Sequence, residues 1–187
     1  FVTLPVPKVH AMTGVSLGFK NQWGCIPDPK RLRLHPYFDR LIIEINRTLK
    51  PRLAIYDGTY FLDRSGPMEG NPRRMDLILA ANDVGAGDLA CCAVMGIDPL
   101  WIGHLRVAHR LGMMPRTLDE TVMSGDVRAF QVSPRFRLHR TVDQWVALAL
   151  FHSSLGTKIV YDSKLAKPIH TIVYSLRGAP KDFRPSW

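Results

Sequence analysis

Residues 75–95 read MDLILAANDVGAGDLACCAVM. Met75–Ala81 is a nearly continuous apolar run broken by one acid, the pattern of a buried strand. Asn82 or Asp83 follows, with a short polar side chain able to accept from the free N–H groups of a helix's first turn. That helix runs to about Met95. A strand feeding straight into a capped helix is the unit of layered α/β folds. The stretch therefore predicts an α/β protein with a mostly parallel sheet and flanking helices.

The flanks extend this reading. Towards the N-terminus, Phe1–Val6 reads as a strand interrupted by Pro5 and Pro7. Thr13–Trp23 is punctuated by glycine, as a short helix or a loop. Tyr37–Leu49 has apolar residues at 38, 41, 42, 45 and 49, one helical face, stopped by Pro51. Arg52–Tyr56 is a short strand ending at Asp57-Gly58, and Gly66–Pro72 a loop. Towards the C-terminus, Asp98-Pro99 predicts a helix running to about Leu111, and Thr121–Met123 a short strand. Arg140–Leu155 and Thr157–Ser175 predict two apolar, basic helices separated by Gly156. The division expected is an α/β domain over 1–126 and a helical basic extension over 127–187.

A chain of 187 residues, 46% apolar and 22% charged, has the balance of a folded domain rather than a disordered one. It has no apolar run of the roughly 18 residues that a membrane span needs. Phe1 opens a strand-like run with no charged leader and no Met, which predicts a natural N-terminal part upstream and, with no targeting signal visible, a cytoplasmic setting. Cys25, Cys91 and Cys92 form no Cys-x-x-Cys pair and read as reduced thiols; they supply no four-cysteine iron–sulfur set. Of the net charge of +9, +7 falls from Arg128 onward. Such a segment suits an anionic neighbour or a solvated surface. Nucleic acid is disfavoured, since no aromatic platform is interleaved with the basic residues. The C-terminal helices are expected to pack their apolar faces on the α/β core with cations facing water; seating on a membrane surface or a protein partner is the alternative.

The densest polar group is Lys8, His10, Lys20, Asn21 and His35. Two lysines and two histidines after strand ends suit a small anionic ligand, with Lys8, His10, Lys20 and Asn21 as candidate catalytic residues. Asp57, Glu69 and Asp88 are candidate cofactor-binding acids; Asp88 stands out because a carboxylate inside an apolar helix is costly unless partnered. His10 or His35 with one carboxylate would suit a divalent metal. Asp83 reads as a helix cap. Gly85-Ala-Gly87 resembles a dinucleotide fingerprint only superficially, and His104 and His109, five apart, read as residues of a polar helix face.

Lys8-Val-His10-Ala-Met-Thr13-Gly14, Phe19-Lys20-Asn21-x-x-Gly24, Pro27-x-x-Lys30 and His35 resemble the opening signature of the family catalogued as domain of unknown function 362. The likeness continues through Gly66-Pro67-Met-Glu69-Gly70, Asn82-Asp83…Asp88 and Met95-Gly96-Ile-Asp98. Members often carry an iron–sulfur ferredoxin module, which implies a ferredoxin-like redox partner for a chain lacking one. His10, Lys20 and His35 are also similar, in order and approximate spacing, to a His, a Lys and a His of nickel-pincer lactate racemases. That resemblance implies metal-ligand or acid/base histidines and a cofactor-bearing Lys20, although Phe19-Lys20-Asn21 departs from the racemases' Gly-rich, Arg-Lys stretch. Two functions follow as expectations: an enzyme acting on a small anionic substrate through a Lys/His/Asp site with a metal or redox partner, or a non-catalytic accessory module docking through its basic C-terminal helices.

Overall fold

Pro5 and Pro7 cannot donate to a sheet ladder, yet their carbonyls accept from Asp57 N–H and Leu62 N–H at 3.0 and 3.3 Å. Residues 1–10 therefore run as one interrupted strand along a single edge of β4 (Leu53–Asp63). β1 (Val2–Thr3) pairs its start, with Val2 opposite Leu53, and β2 (Lys8–His10) its end, with Lys8 opposite Leu62. β3 (Gly14–Ser16) folds back antiparallel on β2. β5 (Asn71–Ala81) pairs antiparallel along the other edge of β4. Three of the five strands share one direction, and the sheet is mixed. The computed structural model describes residues 1–28, 30–67, 69–169 and 171.

The helices are α1 (Gly18–Asn21), α2 (Phe38–Leu49), α3 (Val84–Met95), α4 (Gly103–Arg110), α5 (Val142–His152) and α6 (Ser154–Asp162). α3 packs on β4 and β5, α1 on α3, and α2 on α1 and α4. The α/β class expected from residues 75–95 is the class observed. Phe19, Ile42, Ile43, Tyr56, Phe61, Met95 and Leu105 are fully or almost fully buried between the sheet and these helices. Asp83 caps α3, accepting from Ala86 N–H at 2.7 Å, and Asp98 accepts from Leu100 N–H at 2.9 Å. The loop after Phe130 returns to the core through Phe136, whose ring lies 5.9 Å from that of Phe61 under the Arg73 guanidinium.

Five expectations are corrected. β5 is not buried: it alternates, with Met75, Leu77 and Leu79 turned to the core and Ile78 78% exposed, because α3 covers one face of the strand and solvent meets the other. β4 does not stop at Asp57-Gly58; the Asp57 carboxylate accepts from Thr59 N–H and the strand continues past an irregularity to Asp63. Thr121–Met123 forms no strand. The helix from Asp98 breaks at Ile102 into a 3-10 turn (Pro99–Trp101) and α4. The two C-terminal helices divide at Ser153, which caps α6 by accepting from Gly156 N–H, while Gly156 is buried inside α6. Residues of the predicted Thr157–Ser175 helix beyond 171 lie outside the described residues.

The expected packing of the C-terminal apolar faces is met only in part, since α6 leaves Leu155 67% and Ile159 37% exposed. α6 buries Gly156, Thr157 and Val160, against the 3-10 segment Arg31–Tyr37. α5 leans on the same segment but buries no residue, although eight of its eleven residues are apolar.

Gly87 explains how α3 lies so close to β4. A Cβ there would stand 2.5 Å from the Tyr56 hydroxyl and 2.6 Å from its ring. Gly87→Ala is expected to lower stability by about 1–3 kcal/mol through overpacking, read as a lowered urea midpoint with an unchanged slope.

Candidate functional site

Asp88 has no exposed surface. Its carboxylate accepts from Gly18 N–H at 2.7 Å, Phe19 N–H at 3.0 Å and the Tyr56 hydroxyl at 2.7 Å. It thereby satisfies two free N–H groups at the start of α1 from a different helix. Asn46 holds the next carbonyl: its Nδ2 donates to Phe19 O and to Ile42 O, both at 2.8 Å. The turn carrying Phe19-Lys20-Asn21 is thus clamped between α2 and α3. Burial pushes the Asp88 carboxyl up to about 7, against the opposing pull of Tyr56 and the two N–H groups. In the protonated acid Oδ1 can donate to Tyr56, whose hydroxyl has Val84 O at 3.2 Å as its own acceptor, so either state keeps its partners.

Lys20, on this turn, interacts electrostatically with Lys8 and His10 of β2. Burial, then Lys8, brings its ammonium down to about 8. His10, 8% exposed, accepts Met12 N–H on Nδ1 at 3.2 Å, which leaves the proton of the neutral ring on Nε2. Burial depresses His10 to about 2, with Lys20, His35, Lys8 and His104 adding to the effect. His35 falls to about 4 through burial, His152 and Lys20, and His104 to about 3 through burial and Lys20. Burial also lowers Lys8. These groups act on one another and form one electropositive neighbourhood. No carboxylate among the described residues offsets any of these shifts.

Aromatic rings wall the histidines. His35 lies 5.5 Å from Trp23, 5.3 Å from Phe38 and 6.0 Å from Phe151 of α5, and His104 lies 5.8 Å from Phe38. Both ring nitrogens of His104, Nδ1 of His35 and both amide atoms of Gln22 are buried without a hydrogen-bond partner among the described residues. Orphaned buried polar atoms cost free energy and mark a place that takes water or ligand.

Lys8, His10, Lys20 and His35 lie near enough to shift one another's protonation. Asn21 is exposed and donates to Thr3 Oγ1 at 2.8 Å, tying α1 to β1. Asp57 and Glu69 are exposed, and the Asp57 carboxylate is occupied by Thr59. Asp88 lies beneath the group and meets it only through the α1 backbone. Gly85 packs on the Met113 carbonyl and Gly87 on Tyr56, so these glycines serve helix contacts. His104 corrects its expected place on a polar face: it is fully buried on the same side of α4 as Leu105 and Ala108. Sequence reasoning also missed Tyr56, Gln22 and Asp39. The Asp39 carboxyl, raised by burial and held down by His152, Arg106 and the His104 N–H, sits at the start of α4. The pairing of Asp88 with Tyr56 crosses 32 residues and leaves no local pattern.

The chemistry of the donors favours an anion. Among the described residues no three His, Cys, Asp or Glu side chains gather as metal ligands, and two lysines beside His10 oppose a cation. The residues do not fit a nickel-pincer centre: among the described residues His10 and His35 gather no further His, Cys, Asp or Glu ligand.

Residues 1–93 match the family model described as Domain of unknown function (DUF362). Over 127 residues the chain is 31% identical to a thylakoid-associated protein of Synechocystis sp., an alignment covering 64% of this chain and 40% of that relative. The chain thus spans less than half the relative's length. No solved structure matches.

The histidine shifts set the sign of the acid response. Their folded pKa values, about 2, 4 and 3 for His10, His35 and His104, lie below the unfolded value near 6.5, so their stabilising effect is complete above 6.5 and is lost as pH falls. Asp88, raised to about 7, acts oppositely. At pH 5 unfolding takes up a net of about two protons, so stability should fall by about 3 kcal/mol per pH unit there. Urea denaturation at pH 7.5, 6 and 5 checks this; a flat profile would contradict the burial of neutral imidazoles.

Proposed function

Starting from a chain that belongs, over residues 1–93, to the domain of unknown function 362 family, we propose that Lys8, His10, Lys20 and His35 bind a small organic anion, a carboxylate or phosphate. The observation that carries this reading is a half-buried to buried set of lysines and imidazoles with no compensating carboxylate among the described residues. An anionic ligand supplies the missing charge. It would accept from the two ammonium groups and from His10 Nε2–H.

The same groups suit proton transfer. A neutral His10 beside a cationic lysine donates from Nε2 and accepts a proton reluctantly, which suits hydrogen-bond polarisation of a carbonyl or phosphoryl oxygen. Lys20, near 8, exchanges its proton close to neutral pH and is the candidate general acid or nucleophile. An enzyme acting on a small anionic substrate is the reading that uses all four side chains.

A second reading concerns place. The relative's name associates it with the thylakoid. Among the described residues no helix is long and apolar enough to cross a membrane. We carry over peripheral association with a membrane surface, which is compatible with a soluble-side anion site.

Calorimetric titration with inorganic phosphate and with malonate tests the first reading. At least one probe should bind at pH 7, at least tenfold more weakly to Lys20→Met, and more weakly as pH rises through 8 and Lys20 loses its proton. Absence of binding by both probes, or equal binding to Lys20→Met, would sink the proposal.

A further inference from the structure

α5 presents apolar residues on both sides. Ala147, Leu148 and Phe151 face the 3-10 segment Arg31–Tyr37 and α6, and are half-buried. Val142, Trp145, Val146 and Ala149, at helical spacings of three, four and seven, form the opposite stripe and are exposed, with Leu150 at its margin. Val142 is 81%, Val146 55% and Trp145 54% exposed. A helix that is apolar all round is ordinarily buried, in a core or in lipid. Its eleven residues reach about 16 Å, far short of a bilayer's roughly 30 Å core. Lipid could cover it only with the helix lying in the interface.

The surrounding charge selects the occupant. Between Arg128 and Thr171 there are seven Lys or Arg and two acids. Lys158, Lys164 and Lys167 are exposed, and exposed Leu155 and Leu165 are interspersed with them. The Arg140 guanidinium lies 4.9 Å over the Trp145 ring while its Nε donates to Ala11 O at 2.6 Å. This fixes a cation and an indole side by side at the edge of the apolar stripe, a pairing suited to headgroup depth. A protein partner would need acids facing these cations and an apolar groove at once; an anionic bilayer surface offers both chemistries continuously.

We propose that α5 seats its Val142–Trp145–Val146–Ala149 stripe in the interface of an anionic bilayer, with Arg140, held over the Trp145 ring, on a headgroup phosphate. The proposal deepens the membrane reading above and rests on it. It places the Phe151 end of α5, which lies against His35, close to the lipid surface.

Sedimentation of the full chain with phosphatidylglycerol/phosphatidylcholine vesicles, and with phosphatidylcholine alone, tests it. The wild-type chain should bind the anionic vesicles, at least tenfold more weakly at 0.5 M salt, and poorly to the neutral ones. Trp145→Ser with Val146→Asp should lose at least tenfold in binding while circular dichroism stays unchanged and the melting temperature falls only slightly, through loss of the exposed Arg140–Trp145 contact. Val146→Ala alone, a milder change, should weaken binding measurably. Anionic-vesicle binding that the double variant leaves intact would overturn the α5 assignment and keep the membrane reading; absence of vesicle binding by the wild-type chain would overturn both. Self-association in light scattering that the double variant abolishes would assign the stripe to a second copy and overturn the proposal.

Discussion

Asp88 puts a carboxyl group where no water reaches it, and three donors from two other elements converge on that group. Much of the site hangs from this arrangement. The Gly18 and Phe19 amides fix where α1 begins, and the Tyr56 hydroxyl fixes how close β4 comes. Glycine is required at 18 and 87 because a Cβ at either position would stand within about 2.5 Å of that hydroxyl. A buried carboxyl with its partners removed is strongly destabilising, whereas one fully partnered specifies a single arrangement. The arrangement specified here delivers Lys20 to the end of β2, beside His10 and Lys8.

Placing two lysines and three buried imidazoles together sets a consistent electrostatic pattern. Desolvation disfavours the charged form of every one of them, and each charge discourages its neighbours. The imidazoles are held neutral at physiological pH, so the positive charge is concentrated on the lysines. Neutral imidazoles can still offer N–H donors, which is why the cluster suits an oxyanion better than a metal cation. The rings of Trp23, Phe38 and Phe151 line the histidine side of the cluster. Phe151 also ties that wall to α5, the helix whose outer stripe is open.

The α/β class was legible because Met75–Met95 combines a strand run, a cap and a helix within one short window. α2 was legible for the same reason, its face being spelled at 38, 41, 42, 45 and 49. Lys8, His10, Lys20 and His35 could be listed together because they are close in sequence, and β2, α1 and the turn before α2 hold them within electrostatic reach of one another. Other features left no local trace. A near-continuous apolar run does not say whether one face of a strand or both are covered, and Ile78 is exposed on the face opposite α3. Asp57-Gly58 has the composition of a turn, yet β5 holds both sides of it in the sheet. His104 reads as polar by type; its burial depends on α2 lying across α4. α5 carries the pattern of a packed helix, and its partner surface is missing among the described residues.

Lys20 is a desolvated ammonium with a second lysine near it, and it can be titrated directly. NMR detection of the Lys20 side chain across pH, without and with saturating inorganic phosphate, reads it. The structure implies a pKa near 8 in the free protein and a rise on adding phosphate, as a bound anion stabilises the charged form. A free value at the ordinary lysine position of about 10.4, unmoved by phosphate, would contradict both the burial of the site and its preference for an anion.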